Sequence, residues 1–222
     1  MFLKRSYDPE ILDDFSIQDE RIDTALNELK IINFLLGGNR VSSKGIKLFY
    51  NNSNSLTILD VGSGASDILI GIKKKYNNLK IYSLDMNQRA CIYLKKHSNG
   101  IKVICGDVQK LPFKNSFDLI HASLFFHHFN EDELIKILTS LLRVSNKGIV
   151  INDLRRSIFA WLGIRFLTLM FSKSKEVKND GPLSVRRGFV KRDWEYILKN
   201  VTSSNYEIKR KWAFRWLVVI YK

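Results

Sequence analysis

Leu56-Thr57-Ile58-Leu59-Asp60-Val61-Gly62-Ser63-Gly64-Ala65-Ser66-Asp67 is the stretch that decides the fold of this chain. An apolar, β-branched run ends in an acid, breaks at a Gly-x-Gly turn and continues into Ile68-Leu69-Ile70, which has helical promise. This reads as strand, glycine loop and helix start. Gly62 and Gly64 carry no Cβ and tolerate positive φ, so a ligand can approach the backbone closely. The first N–H groups of the helix have no intrahelical partner and point at whatever binds there.

Outward from this unit the chain alternates. Strand-like runs cover 56–61, 80–84, 102–105, 117–122 and 148–152, with helical patterns at 67–76, 88–97 and 131–144 between them. Such alternation predicts a parallel sheet with helices on both faces. The ending differs: 206–212 and 215–221 are β-rich and separated only by Ala213-Phe214. So short a link forbids a parallel crossover and predicts an antiparallel hairpin. Upstream, Ile22, Leu26, Leu29, Ile32 and Leu36 fall near helical spacing. Asp19 or Ser16 is placed to cap that helix, and Gly37-Gly38 to stop it. The polar stretch Asn51-Asn52-Ser53-Asn54-Ser55 separates this N-terminal region from the alternating part.

The glycine turn alone does not name a ligand. Asp67 stands where the third glycine of a dinucleotide fingerprint would be, which disfavours NAD, and the Walker lysine of a P-loop is absent. The second predicted strand ends in Leu84-Asp85-Met86-Asn87, where an acid about 20 residues after the loop can hold ribose hydroxyls. The third ends in Gly106-Asp107-Val108. Acids in place of a phosphate cradle suit a cofactor with a cationic centre and no phosphate.

On these residues the chain resembles the class I S-adenosylmethionine-dependent methyltransferases over almost its whole length. Asp60 to Asp67 looks like the family's first motif, with Ser66 where a third glycine is usual. The resemblance implies an α/β, Rossmann-like, doubly wound sheet of seven strands, mostly parallel with a C-terminal antiparallel hairpin. To this it adds N-terminal helices and a helical insertion after the fifth strand. The whole is expected to be one domain, 1–222, with a helical cap at 1–50 and a helical lid at 155–200. It implies that Asp60 and the Gly62, Ser63 and Gly64 backbone border the methionine part of S-adenosyl-L-methionine. Asp85 would bind both ribose hydroxyls, Met86 would flank the adenine, Asp107 would take the adenine amino group and Val108 would lie beside it. Ser123 and Leu124 would lie near the sulfonium. S-adenosyl-L-homocysteine would be the product.

Methyl transfer from a sulfonium is an in-line displacement, so the enzyme mainly aligns nucleophile and methyl. A phenolic acceptor, with a pKa of about 10 like tyrosine, needs a base. His127-His128 follows the fourth predicted strand in Ala122-Ser123-Leu124-Phe125-Phe126-His127-His128-Phe129, and histidine suits that work. His128 is the preferred candidate. His121, inside the strand, reads as structural and His97 as surface. After the fifth strand, Asn152-Asp153-Leu154-Arg155-Arg156 offers Arg155 or Arg156 as a fork for a carboxylate or phenolate. Tyr7 and Arg40 are family-level candidates to close over the cofactor. Asp180-Gly181-Pro182-Leu183-Ser184-Val185-Arg186-Arg187-Gly188-Phe189 and Phe214-Arg215-Trp216-Leu217-Val218-Val219 resemble a small bacterial, ubiquinone-biosynthesis-like subgroup. Some of its members are encoded beside type III polyketide synthases. That implies O-methylation of a phenolic or polyketide-type small molecule of secondary metabolism, often with an alkyl tail. No metal is expected.

Composition bounds the alternatives. The 222 residues suffice for one α/β domain, and the 45% apolar fraction is ordinary for a globular chain. The N-terminus lacks a signal-peptide pattern, and no apolar run reaches membrane-spanning length. Cys91 and Cys105 have no metal-like spacing and read as two buried hydrophobes of a cytoplasmic protein. The net charge of +14 is uneven: residues 155–222 hold 16 Lys and Arg against five acids, leaving +3 for the first 154. A basic C-terminal third suits an anionic partner. The apolar stretch 158–171, flanked by basic residues, suits a core helix, a lid or peripheral contact with an anionic membrane. Nucleic acid is disfavoured, because an Asn/Asp-Pro-Pro-aromatic sequence is missing after the fourth strand. RNA methylation and non-catalytic cofactor binding stay open as competing readings, and the oligomeric state is undetermined.

Overall fold

The computed structural model describes residues 4–51, 55–76, 78–114, 116–201 and 205–222. Its strands are β1 Leu56–Val61, β2 Leu79–Asp85, β3 Ile101–Cys105, β4 Phe117–Ser123, β5 Ser145–Leu154, β6 Tyr206–Lys211 and β7 Arg215–Tyr221. Among the described residues these form one sheet in the order β3-β2-β1-β4-β5-β7-β6. β1 to β5 are mutually parallel, and β7 runs antiparallel to both β5 and β6. The strand order reverses between β1 and β4, which places a ligand crevice beyond the carboxyl ends of these strands. The doubly wound sheet with an antiparallel finish agrees with the sequence expectation.

The helices are α1 Glu20–Leu35, α2 Gly38–Ile46, α3 Asp67–Lys73, α4 Gln88–His97, α5 Glu131–Val144, α6 Ile158–Phe171, α7 Lys175–Arg187 and α8 Lys191–Asn200. Alternation along the central strands feeds two core layers. Ile58, Leu119, Val150, Leu217 and Val219 face a layer with Ile46 of α2 and Ile68, Leu69 and Ile72 of α3. Leu59, Ile120, Ile149, Ile151, Trp216 and Val218 face the opposite layer, with Leu138 of α5 and Trp194 of α8. α5 shows why such a helix forms. Asn130 and Glu133 make a capping box, and Leu134, Ile137, Leu138, Leu141 and Val144 bury one stripe. Each such side chain contributes roughly 1.5–3 kcal/mol by leaving water.

The structure refines several sequence expectations. α1 starts from Asp19, which accepts from Arg21 N, and stops before Gly37 at φ 71°. α2, which has no clear apolar stripe in sequence, is part of the sheet's layer rather than a cap: a Cβ on its Gly45 would meet Val150 at 2.5 Å. The region 155–200 divides into α6, α7 and α8, and α8 belongs to the core through Trp194, Ile197 and Leu198. α7 approaches α6 closely at Gly181, where a Cβ would sit 3.3 Å from both Ile164 and Thr168. Cys91 is buried as expected, but Cys105 is exposed, because β3 is the sheet edge. The hairpin turn uses two non-glycine residues at positive φ, Ala213 at 55° and Phe214 at 54°, so its sequence lacks the usual turn signal.

Candidate active site

The site begins beneath the glycine loop. Asp60 is 3% exposed and both its oxygens are taken: Oδ2 accepts from Ser66 Oγ at 2.6 Å, and Oδ1 faces His121 Nδ1 at 2.6 Å. Ser66, at φ 48°, starts α3. The far nitrogen of His121 faces Ser42 Oγ at 2.8 Å, and Asn152 Nδ2 donates to the same hydroxyl at 3.0 Å. Arg215 then joins Asn152 (3.2 Å) to Asn33 of α1 (2.9 Å). Burial pushes the Arg215 guanidinium down to about 10. A buried polar chain therefore ties α1, α2 and the sheet to the loop. Satisfied in this way, it fixes one loop geometry.

Above the loop lies a cavity of about 670 Å³ at the carboxyl ends of β1 to β4, within the size range of small-molecule sites. One wall is local in sequence: Gly62, Gly64, Asp85, Met86, Asp107, Val108 and Leu124 all line it. Gly62 is required there, since it holds φ +60° and a Cβ would come within 1.9 Å of the Phe125 ring. Asp85 accepts from Gly64 N at 2.7 Å and from Asn87 N at 2.8 Å. Burial raises its carboxyl, against the pull of these two N–H groups. Asp107 accepts from Gln109 N at 2.8 Å.

The other wall is assembled from distant segments. Asp180 of α7 accepts from Ile11 N and Leu12 N, each at 2.9 Å, and so holds the turn Ile11–Asp13 against α7. Arg187 donates to the carbonyls of His127 (3.2 Å) and His128 (2.8 Å) and to Asp13 Oδ2 (2.7 Å). Arg5 adds a bond to His127 O at 3.0 Å. These clamps fix the loop after β4.

The two adjacent histidines then differ. His127 is 3% exposed, with Nδ1 on Asp153 Oδ1 at 2.7 Å and Nε2 3.6 Å from Glu10 Oε1. Burial opposes its charge, but the Asp153 and Glu10 carboxylates outweigh that and raise it to about 9. Both ring nitrogens of His127 thus face carboxylates, which favours its charged form. His128 places Nδ1 2.6 Å from Asp13 Oδ1, with its side chain 23% exposed on the cavity wall. Burial works against the Asp13 charge, but His128 and Arg187 hold its carboxyl well below the usual range. An ionised carboxylate accepts, so in the neutral ring the His128 proton sits on Nδ1 and Nε2 is an acceptor. Its nearest carboxylate, Glu10 Oε2, is 4.0 Å away, beyond hydrogen-bond reach.

Glu10, His127 and His128 bring one ligand atom each within 4.8 Å of one another. Arg187 Nη1, however, lies 3.9 Å from Glu10 Oε1, so a divalent ion there would meet a guanidinium.

Other sequence candidates stand elsewhere. Asp60 and Ser63 do not line the cavity; Asp60 is consumed by the network below, and Ser63 Oγ bonds Ser83 Oγ. Ser123 is also off the lining, its Oγ without a hydrogen-bond partner. Arg155 stacks over the Phe214 ring at 5.0 Å, away from the cavity, and burial lowers its guanidinium. Arg156 is buried, donating to Gly188 O at 2.6 Å and pairing with Asp193 at 3.3 Å. Arg40 is exposed on α2, off the lining, whereas Tyr7 is at the cavity, bonded to Glu131 at 2.6 Å. Sequence reasoning missed Glu10, Asp13, Ser184 and Arg187. The 180–189 stretch was a visible signal for the last two; nothing local marks the first two.

The donor set fits a cationic, phosphate-free cofactor. Two acids face the cavity at the ends of β2 and β3, and among the described lining residues Arg187, on the far wall, is the one Lys or Arg. A family profile described as "Methyltransferase domain" matches residues 58–148, which carry β1 to β4 and both acids. None of the curated proteins matches the chain. Among solved structures, it is similar to human N-acetylserotonin methyltransferase in complex with S-adenosylmethionine: TM-score 0.71, 13% identity, 98% of this chain and 60% of that one. It is also similar to the plantazolicin methyltransferase BpumL in complex with S-adenosylhomocysteine: TM-score 0.68, 20% identity, 94% and 91%. A third is an S-adenosylmethionine-dependent methyltransferase from Aquifex aeolicus: TM-score 0.60, 17% identity, 88% and 97%. The chain thus spans about 60% of the human protein's length and nine-tenths or more of the other two. The profile match falls on the half of the sheet that carries both cavity acids, and the fold of the whole chain is similar to that of these S-adenosylmethionine-dependent methyltransferases.

Proposed function

We propose that the protein methylates the hydroxyl of a small phenolic or polyketide-type acceptor that carries an alkyl tail. The observation that carries this reading is the imidazole–carboxylate pair on the cavity wall opposite the cofactor acids. His128 Nδ1 is committed to Asp13 at 2.6 Å, so Nε2 is the free acceptor facing the cavity. A phenol keeps its proton at neutral pH, at a pKa of about 10. Nε2 takes that proton as the oxygen attacks, and Asp13 stabilises the imidazolium that forms. Apolar lining from Phe15, Leu26, Leu29, Phe129 and Val177 supports an alkyl-bearing acceptor.

S-adenosylmethionine, when bound, supplies an electrophilic methyl on a sulfonium. In this reading Asp85 holds the ribose diol with the lone pairs that Gly64 N and Asn87 N leave free. Met86 and Val108 flank the adenine, and Asp107 takes its amino group. The Gly62–Gly64 backbone runs along the methionine part with Leu124 at the sulfonium, and Asp60 acts through Ser66 by holding the loop. Incubation with labelled cofactor and phenolic lipids, set against tRNA and rRNA, tests the acceptor class. Label in the phenolic lipid is expected; label in RNA alone overturns the reading. Asp85→Ala should abolish calorimetric cofactor binding, and an unchanged affinity would refute its assignment.

A further inference from the structure

α6 inverts the pattern of a surface helix. Of its 14 residues only Ala160 and Thr168 are buried. Phe159, Leu162, Phe166, Leu169, Met170 and Phe171 are 50–75% exposed, and the first five follow one another at helical spacing on the outward face. The single charge in the helix, Arg165, lies 5.2 Å over the Trp161 ring. None of these side chains lines the cavity, so α6 is not its lid; that border is α7.

The apolar surface continues onto α1. Glu28 accepts from Lys173 N at 2.8 Å and Ser174 N at 3.2 Å, which sets α1 against the segment leaving α6. One and two turns on, the same side of α1 presents Ile31, 58% exposed, and Leu35, 56% exposed, with Phe34 beside them. Lys173, just past the end of α6, and Lys175 and Lys178, in the first turn of α7, are exposed and without a carboxylate partner among the described residues. A contiguous apolar patch with a polar rim marks an interaction surface.

We propose that this face, α6 with the end of α1, rests on an anionic membrane surface. Aromatic and aliphatic side chains enter the headgroup boundary while the rim cations meet lipid phosphates. A second copy of the chain is the less suitable occupant: pairing two such faces brings like-charged rims together. Among the described residues no helix is long and apolar enough to cross the bilayer, so the contact is peripheral. The inference stands on the surface alone and does not depend on the acceptor.

Co-sedimentation of the full chain with phosphatidylcholine vesicles, with and without phosphatidylglycerol, tests it. Binding is expected to the anionic vesicles, falling at high salt. The double variant Phe166→Glu, Met170→Glu should weaken it at least tenfold with cofactor affinity unchanged, since neither residue touches the cavity. Lys173→Glu, Lys175→Glu, Lys178→Glu should lose the preference for anionic lipid with the apolar face intact. Absence of wild-type binding, equal binding by the double variant, or a dimer that the double variant dissociates would overturn the proposal.

Discussion

His121 and His128 lie on one strand and the loop that follows it, each 2.6 Å from an aspartate, yet they have opposite fates. His121 is fully buried, and its second nitrogen is also used, by Ser42. His128 is on the cavity wall, and among the described residues its second nitrogen has no partner within hydrogen-bond reach. An acid–histidine pair is scaffold or chemistry according to what the far nitrogen meets. His127, between them in sequence, is a third case: carboxylates on both sides favour its charged form.

Substitution separates these roles. His128→Ala should lower the methylation rate by about 10²–10⁴-fold, the usual worth of a positioned base, with little change in stability. A full rate in a steady-state assay removes it as the base. His121→Ala should act the other way. It leaves the buried Asp60 Oδ1 without its hydrogen-bond partner, at a cost of about 1–3 kcal/mol for a buried polar atom left unsatisfied, read from urea unfolding. An unchanged midpoint would mean that the network beneath the loop is not structural.

The pH dependence of stability probes the middle histidine. Its folded value of about 9 lies above the ordinary value of about 6.5. The stabilisation is therefore complete below pH ~6.5 and lost as pH rises through about 9. It amounts to about 3 kcal/mol, from the shift at 1.36 kcal/mol per unit. His127→Gln should flatten stability over that window; the same slope in the variant would sink the assignment. The smallest effect is expected at Arg155, which stacks on Phe214 outside the cavity. Arg155→Ala should cost about 0.5–1 kcal/mol and leave the acceptor KM unchanged, and a tenfold rise in KM would return it to the site.

The wall at the strand ends was legible because it is local. Gly62, Gly64, Asp85 and Asp107 sit at strand ends whose positions follow from period-two apolar runs and the turns after them. The opposite wall was half legible. His127-His128 could be placed on the loop after β4, but sequence could not tell which of the two is enclosed by carboxylates and which is part-exposed on the cavity wall. Asp13 and Asp153 are 115 and 26 residues away from their histidines, respectively. Arg155 and Arg156 looked like substrate forks because they follow a strand end. The structure turns them toward Phe214 and Asp193 instead, where α8 and the hairpin close over that edge.

By itself the sequence determined the doubly wound sheet, its antiparallel finish and the two acids at the strand ends that line the cavity. Strand, loop and helix are set by hydrophobic period and glycine placement, and these act over a few residues. Only the tertiary structure decided which histidine is chemically available, that Arg187 rather than Arg155 borders the cavity, and that α6 leaves its apolar face in solvent. Those outcomes depend on which charges and surfaces meet across long stretches of chain. Burial and pairing are properties of that meeting and of no single segment.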